Sequence, residues 1–232
     1  MMTRTTRENA RSRFVRGRLV GAAAIAFAVS VVMENAVLAA SGAPAFGAPI
    51  EEVLAYYAAN RDSVAIVSGL VALYLPLLLV FVTGLHGLVE RRGGAGADWS
   101  RIALAAGATL SAIFVLVNVL QIGLALSAGG LAGPTPAFEL VWQVHAAAFA
   151  LALSTLGTTF IGAALAAHAS GLTPAWQRLP GLVGGSLLLA AGFGNVAIAD
   201  GSTLIFVGLA GFAACLVWLI VTGVRLVRSD VD

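Results

Sequence analysis

The sequence predicts an all-α integral membrane protein, in which a bundle of six transmembrane helices crosses the bilayer and both termini lie in the cytoplasm. The chain is 59% hydrophobic and only 10% charged, whereas a soluble domain carries roughly 25% charged residues. Six apolar stretches reach the roughly 20 residues that a helix needs to cross the hydrocarbon. The arginines are concentrated in alternate loops, as the positive-inside rule requires.

The six predicted spans make up one transmembrane domain over residues 19–228, which follows a basic segment over residues 1–18. Backbone groups in lipid must find their hydrogen bonds within the segment, so we expect each span to be a helix. The spans cover roughly residues 19–40, 63–89, 102–128, 138–167, 180–199 and 203–225.

The orientation follows from the basic residues, which are all arginines. On the predicted outer side the only arginine is Arg61. The predicted cytoplasmic segments hold all the others, namely Arg4, Arg7, Arg11, Arg13, Arg16, Arg18, Arg91, Arg92, Arg101, Arg178, Arg225 and Arg228. Cytoplasmic loops carry the excess of basic residues, so we expect the N-terminus and the C-terminus in the cytoplasm.

The first outer loop, 41–61, is the longest connection. It opens with two Gly-Ala-Pro sequences, which break helices, and Pro49 then marks the first turn of a short helix. One face of this helix is apolar and holds Ile50, Val53, Leu54 and Tyr57. The pattern predicts an interfacial helix that lies on the outer membrane surface.

The N-terminus also supports an alternative reading. Basic residues precede an apolar run, and Val37-Leu38-Ala39 resembles the small-residue site at which a signal peptide is cleaved. Cleavage there would leave five spans, and the sequence leaves this alternative open.

Composition excludes several kinds of chemistry. The chain has no lysine, so lysine Schiff-base chemistry is excluded. Cys215 is the single cysteine and can form neither an intrachain disulfide nor a metal site by itself. The net charge of +2 is too small to indicate nucleic acid. No metal, phosphate-loop or nucleophile motif occurs, so we predict no metal and no cofactor.

Polar residues inside the spans are the candidate functional residues, because such residues are costly in lipid. At a rise of 1.5 Å per residue, most of them fall in one layer of the outer half. Trp142 and His145 share a helix face, and we expect them to form a pocket that Glu34, Asn118, Gln121 and Asn195 face. The full set of candidates is Glu34, Asn35, Asn118, Gln121, Trp142, His145, Asn195 and Asp200.

The chemistry expected of this layer is proton handling or polar binding. A carboxyl such as Glu34 and a nearby histidine such as His145 can share a proton, while the amides hold a polar ligand or water. The alternative is structural, because Asn and Gln in spans often join helices by hydrogen bonds. Asp200 would then be a helix-end residue in the headgroup region.

Three segments carry a resemblance to a known family. They are Trp142-Gln143-Val144-His145-Ala146-Ala147-Ala148-Phe149, Gly171-Leu172-Thr173-Pro174-Ala175-Trp176 and Val217-Trp218-Leu219-Ile220-Val221-Thr222-Gly223. Together they resemble small multi-span bacterial proteins of the domain of unknown function 4386 family or a close actinobacterial relative. The resemblance covers most of the chain from the first outer loop onward. It implies a multi-pass protein of the bacterial cytoplasmic (inner) membrane, with no assigned activity and no catalytic residue.

Three functions therefore remain open. The first and favoured one is binding or transport of a proton or of a small polar or amphipathic ligand in an outward-facing polar layer. The second is a structural or accessory subunit without chemistry of its own. The third is an intramembrane acid–base enzyme on a lipid or isoprenoid, with Glu34 or Asp200 as proton donor. The residues favour a role other than catalysis. They indicate the lipid bilayer and a small-molecule or lipid ligand as partners, exclude nucleic acid, and leave an oligomer or a partner subunit open.

Overall fold

The computed structural model describes residues 4–228, with side chains described from Gly17 onward, and no strand occurs in this part of the chain. Of the predicted basic segment 1–18, only Arg18 has a described side chain. The helices are α1 (Arg4–Ala40), α2 (Ile50–Ala59), α3 (Arg61–Arg91), α4 (Ala97–Ala128), α5 (Pro136–Ala169), α6 (Arg178–Phe193), α7 (Asn195–Ala199) and α8 (Ile205–Arg228), with a short 3-10 turn at Ala175–Gln177.

Five helices in the described region are long and apolar enough to cross a membrane, namely Gly17–Ala40 of α1 and the whole of α3, α4, α5 and α8. The predicted span over 180–199 is not one continuous helix. It is divided at Gly194 into α6, with 16 residues, and α7, with five. At 1.5 Å per residue α6 rises about 24 Å, which is less than the roughly 30 Å of a hydrocarbon core. Gly192 and Gly194 are poor helix formers near this break.

The long helices and α6 form a closed ring. Its order is α1, α3, α4, α5, α6 and α8, and α8 packs against α1 to complete it. Connections gather at two ends of the ring. We call one the arginine end, which holds the connections 92–96 and 170–177, and the other the α2 end, which holds α2 and the connections 129–135 and 200–204.

Glycine pairs bring three pairs of neighbouring helices into close contact. A Cβ atom built on Gly21 of α1 would lie 2.5 Å from the carbonyl oxygen of Gly223 in α8. The contact between α6 and α8 is equally close, with 2.5 Å from a Cβ on Gly184 to the Gly211 carbonyl oxygen. The remaining pair, in α5 and α6, is Gly157 and Gly185. Small residues permit such approach of helix backbones in lipid, so α6 belongs to the ring in spite of its length.

Hydrogen bonds fix the connections at the arginine end. Arg92 donates from Nη1 to the Gly171 carbonyl oxygen at 3.0 Å, and Arg225 donates from Nε to the Leu172 carbonyl oxygen at 3.0 Å. Both arginines therefore hold the connection between α5 and α6. A buried bond of 2.7 Å from Gln177 Nε2 to Thr222 Oγ1 joins the same connection to α8.

The short helix α2 is present where the sequence predicts it, but its apolar face meets protein rather than lipid headgroups. Val53 and Tyr57 are buried in a cluster with Leu124 of α4 and with Phe138 and Trp142 of α5. These contacts place α2 against the ends of α4 and α5. The helix therefore covers one end of the ring.

Candidate functional site

Two adjoining chambers, both partly open, lie within the ring towards its α2 end. We call the first, of about 180 Å³, the polar chamber and the second, of about 100 Å³, the apolar chamber. Either volume is well above the roughly 10–15 Å³ that one water molecule needs. Both chambers are lined by Glu34, Asn35, Leu38, Phe114 and Phe149. These shared residues mark the boundary at which one chamber meets the other.

The two chambers differ in chemistry. The apolar chamber is lined by hydrocarbon and aromatic side chains from α1, α3, α4, α5 and α8, among them Phe27, Val31, Leu75, Leu78, Leu110, Leu153, Leu156 and Phe212. The polar chamber adds the side chains of Tyr56, Tyr57, Asn118, Gln121, Trp142 and His145. The Tyr57 pKa is raised by burial and, to a smaller extent, by the neighbouring Tyr56. The Tyr57 hydroxyl therefore keeps its proton.

Glu34 occupies the boundary between the chambers and is the carboxyl that both share. It lies in the outer part of α1 by the predicted orientation, and its side chain is paired with the Tyr74 hydroxyl of α3. The predicted proton-sharing partner, His145, lines the polar chamber with Glu34, but its Nδ1 has no hydrogen-bond partner among the described residues. The hydrogen-bonding neighbour that the structure gives Glu34 is the Tyr74 hydroxyl.

Trp142 and His145 share one face of α5, as their spacing predicts. Their rings stack with centroids 5.3 Å apart and planes 15° apart. Trp142 donates from Nε1 to the Phe46 carbonyl oxygen at 3.3 Å, and the Phe46 ring lies 5.2 Å from that of Phe149. The loop before α2 thus contributes an aromatic ring to the wall of the polar chamber.

Contacts between loops hold Phe46 in place. A Cβ on Gly47 would lie 3.0 Å from the Gly201 Cα atom, so the loop before α2 packs on the turn between α7 and α8. The Ser41 and Tyr56 hydroxyls share a hydrogen bond of 2.9 Å, which ties the end of α1 to α2. Together these contacts hold the loop before α2 and α2 itself over the polar chamber.

Two buried polar atoms in the polar chamber have no hydrogen-bond partner among the described residues. They are Oδ1 of Asn118 and Nδ1 of His145, and the His145 residue is only 7% exposed. Buried polar groups are normally satisfied, and an unsatisfied one costs about 1–3 kcal/mol. Both atoms thus lack the partner that a buried polar atom normally has, and both belong to residues that line the polar chamber.

Of the four remaining predicted site residues, two line a chamber and two do not. Gln121 is buried and lines the polar chamber, and Asn35 lines both chambers while its Nδ2 donates to the Val31 carbonyl oxygen at 2.9 Å. Asn195, expected to face the pocket, lies at the start of α7 and lines neither chamber. Asp200 is exposed beyond α7 and also lies outside both. The break at Gly194 separates these two residues from the ring interior.

Sequence reasoning missed several aromatic residues of the site. Tyr74 could have been noticed, because a buried tyrosine hydroxyl usually finds a polar partner. Phe46 gives no such signal, since it stands in a Gly- and Pro-rich loop that the sequence predicts to lie outside the spans. Phe114 and Phe149 resemble any other apolar residue of a span.

No group of three His, Cys, Asp or Glu side chains in the described residues lies close enough to hold a metal ion. Comparisons of the chain with protein-family models, with curated proteins and with solved structures find no match. The interpretation of the site therefore depends on its own geometry.

Proposed function

We propose that this protein binds a small amphipathic molecule, with the polar part in the polar chamber and the hydrocarbon part in the apolar chamber. The observation that carries the proposal is that the two chambers adjoin at Glu34. A molecule that occupied both would place its polar group beside Glu34, Asn118 and His145. Its hydrocarbon part would contact leucine and phenylalanine side chains.

The packing of the ring supports binding over a purely structural role. The interior of a helix bundle is normally close-packed, and the glycine pairs show that the helices of this chain pack tightly elsewhere. The chambers interrupt that packing where unpartnered polar atoms also occur. A structural subunit would use Asn118 and His145 in contacts between helices.

We further propose that the ring is a multi-pass domain with six crossings, with α6 and α7 together forming the fifth, and that both termini lie in the cytoplasm. The distribution of arginine supports this orientation. In the described region the arginine end holds Arg91, Arg92, Arg178 and Arg225, whereas Arg61 begins α3 at the α2 end. On this orientation the polar chamber lies in the outer half of the membrane, below α2. A place in the bacterial inner membrane, and the family resemblance that implies it, stay predictions.

A photoreactive alcohol that carries an alkyl diazirine tests the proposed binding. The full chain in lipid nanodiscs is irradiated with the probe, and labelled residues are mapped by mass spectrometry. We expect labels on residues that line the apolar chamber, such as Leu153 and Phe212. Excess unlabelled alcohol should remove these labels, while labels on the lipid-facing surface should persist.

A matched pair of variants separates the chamber from the lipid-facing surface. Val31 lines the apolar chamber and is 4% exposed, while its neighbour Val32 is 53% exposed. We expect Val31→Phe to fill the chamber and abolish chamber labelling, and Val32→Phe to leave it unchanged. Both variants are compared with the wild type for thermal unfolding, and Leu209→Trp, at the chamber edge, provides a second filling variant. Equal chamber labelling in the wild type and in the folded filling variants would refute the proposal.

A further inference from the structure

The site holds a carboxyl group without a resident cation. No arginine with a described side chain lines either chamber, and the chain contains no lysine. Among the described residues that line the chambers, His145 is the only other ionisable side chain apart from tyrosines. An ionised carboxylate away from water is costly unless a cation accompanies it. A cation that enters with the ligand would balance the charge of Glu34.

The Glu34 carboxylate and the unpartnered atoms of the polar chamber favour a ligand that donates hydrogen bonds over one that accepts them. An ionised carboxylate is only an acceptor, and Glu34 is placed where both chambers meet. The Asn118 oxygen is an unpartnered acceptor, and Nδ1 of His145 is an acceptor in the tautomer that carries its proton on Nε2. A headgroup with several N–H bonds supplies donors that match these acceptors, whereas an anionic headgroup would meet the Glu34 carboxylate with like charge.

Aromatic rings complete the wall around these acceptors. Trp142 stacks on His145, the Phe46 ring lies 5.7 Å from Trp142, and Tyr57 lies 6.2 Å from it. Tryptophan, tyrosine and phenylalanine faces attract organic cations, and clusters of them recognise ammonium groups. This attraction is larger away from water, as in a chamber that α2 and Phe46 cover.

We infer that the ligand is a lipophilic amine, bound as an ammonium ion whose N–H groups donate to Glu34, Asn118 and His145 while its hydrocarbon part lies in the apolar chamber. The inference rests on the proposed function, because it names the headgroup of the amphipathic molecule proposed above. It assigns Glu34 as the group that distinguishes the charged headgroup from a neutral one. The aromatic rings of Trp142 and Phe46 form part of the chamber wall beside the ammonium ion.

Three probes with the same alkyl chain test the inference. Octylamine, 1-octanol and octanoate are compared as competitors of the photoreactive alcohol, with the wild-type chain in nanodiscs. Competition is scored on labelled residues of the apolar chamber relative to lipid-facing residues of the same sample, which corrects for partition into the membrane. Charge-assisted hydrogen bonds and cation–π contacts predict that octylamine competes at a concentration about tenfold or more below that of 1-octanol. We expect octanoate to be the weakest.

Glu34→Gln removes the charge and keeps the shape of the side chain. We expect this variant to lose the advantage of octylamine over 1-octanol while the alcohol still competes. The matched control is Glu139→Gln, because Glu139 is exposed and its Oε1 accepts from Gln143 Nε2 at 3.2 Å. This control should retain the advantage of the amine.

The outcomes separate the inference from the proposed function. Chamber labelling that octylamine displaces no better than 1-octanol, in the wild type, overturns the amine inference and leaves amphipathic binding intact. A preference for octylamine that survives in Glu34→Gln overturns the role assigned to Glu34. Absence of chamber labelling overturns both. The wild-type comparison decides the headgroup even where Glu34→Gln does not fold.

Discussion

The contact between α6 and α8 gives a quantitative prediction for Gly211→Ala. A Cβ atom at this position would lie 2.6 Å from the Gly184 carbonyl oxygen and 2.8 Å from the Leu187 Cβ atom, where ordinary contacts begin at 3.4 Å. The helices would therefore have to separate by roughly 0.8 Å at this point. Overpacking of this kind costs about 1–3 kcal/mol, so we expect the free energy of unfolding to fall by that amount.

Cys215 provides the assay. It is the only cysteine of the chain, it is fully buried, and a Cβ on Gly184 would lie 2.7 Å from its Sγ atom. A thiol-reactive dye can reach it only when the contact between α6 and α8 opens. If the contact opens and closes faster than the dye reacts, a loss of 1–3 kcal/mol corresponds to labelling that is roughly 5- to 150-fold faster. The labelling rate is measured in uncharged detergent micelles.

Gly69→Ala is the matched control for this prediction. Gly69 lies within α3, and a Cβ there would meet nothing within 4 Å. Replacing a helix-interior glycine by alanine in open space stabilises by roughly 0.5–1 kcal/mol, so we expect labelling of Cys215 to be unchanged or slower. Equal labelling rates in Gly211→Ala and Gly69→Ala would refute the close contact.

Two further predictions concern the arginine end and the orientation. Thr222→Val leaves the buried Gln177 amide without its partner, so we expect the free energy of unfolding to fall by about 1–3 kcal/mol. In the same unfolding assay, the double variant with Gln177→Leu and Thr222→Val should recover part of this loss. A double variant whose loss equals the sum of the two single losses would contradict the prediction. The orientation is tested with a membrane-impermeant maleimide, because Ala132 and Ala95 are both exposed and lie at opposite ends of the ring. We expect the reagent to label Ala132→Cys in intact cells but Ala95→Cys only after the membrane is opened. The reverse pattern would contradict a cytoplasmic N-terminus.

The layer of polar residues could be partly placed from the sequence. The rise per residue puts Glu34, Asn118 and His145 at comparable depth, and all three line the polar chamber. The same counting led us to expect Asn195 at the pocket, but Asn195 lines neither chamber. The counting assumed a continuous helix over 180–199, and the break at Gly194 ends α6 before that residue. The direction that a residue faces can be counted along a helix only while the helix continues.

The fold class was determined by the sequence because its physical cause is local. Each segment in lipid must satisfy its own backbone hydrogen bonds, so a long apolar stretch is sufficient to predict a helix such as α3 or α5. The start of α2 after Pro49 was predictable for a similar reason, since proline favours the first turn of a helix. None of these predictions requires knowledge of which other helix lies beside the segment.

The contacts between segments were decided only by the tertiary structure. The sequence shows glycines in several spans, but which pairs meet, as Gly184 meets Gly211, depends on the rotation of each helix about its axis. The same holds for Phe46, which enters the chamber wall because its loop packs on the turn that contains Gly201. Rotation and loop docking are set by contacts between residues far apart in the chain. No local pattern records such contacts, because an apolar residue in a span can equally face lipid or another helix.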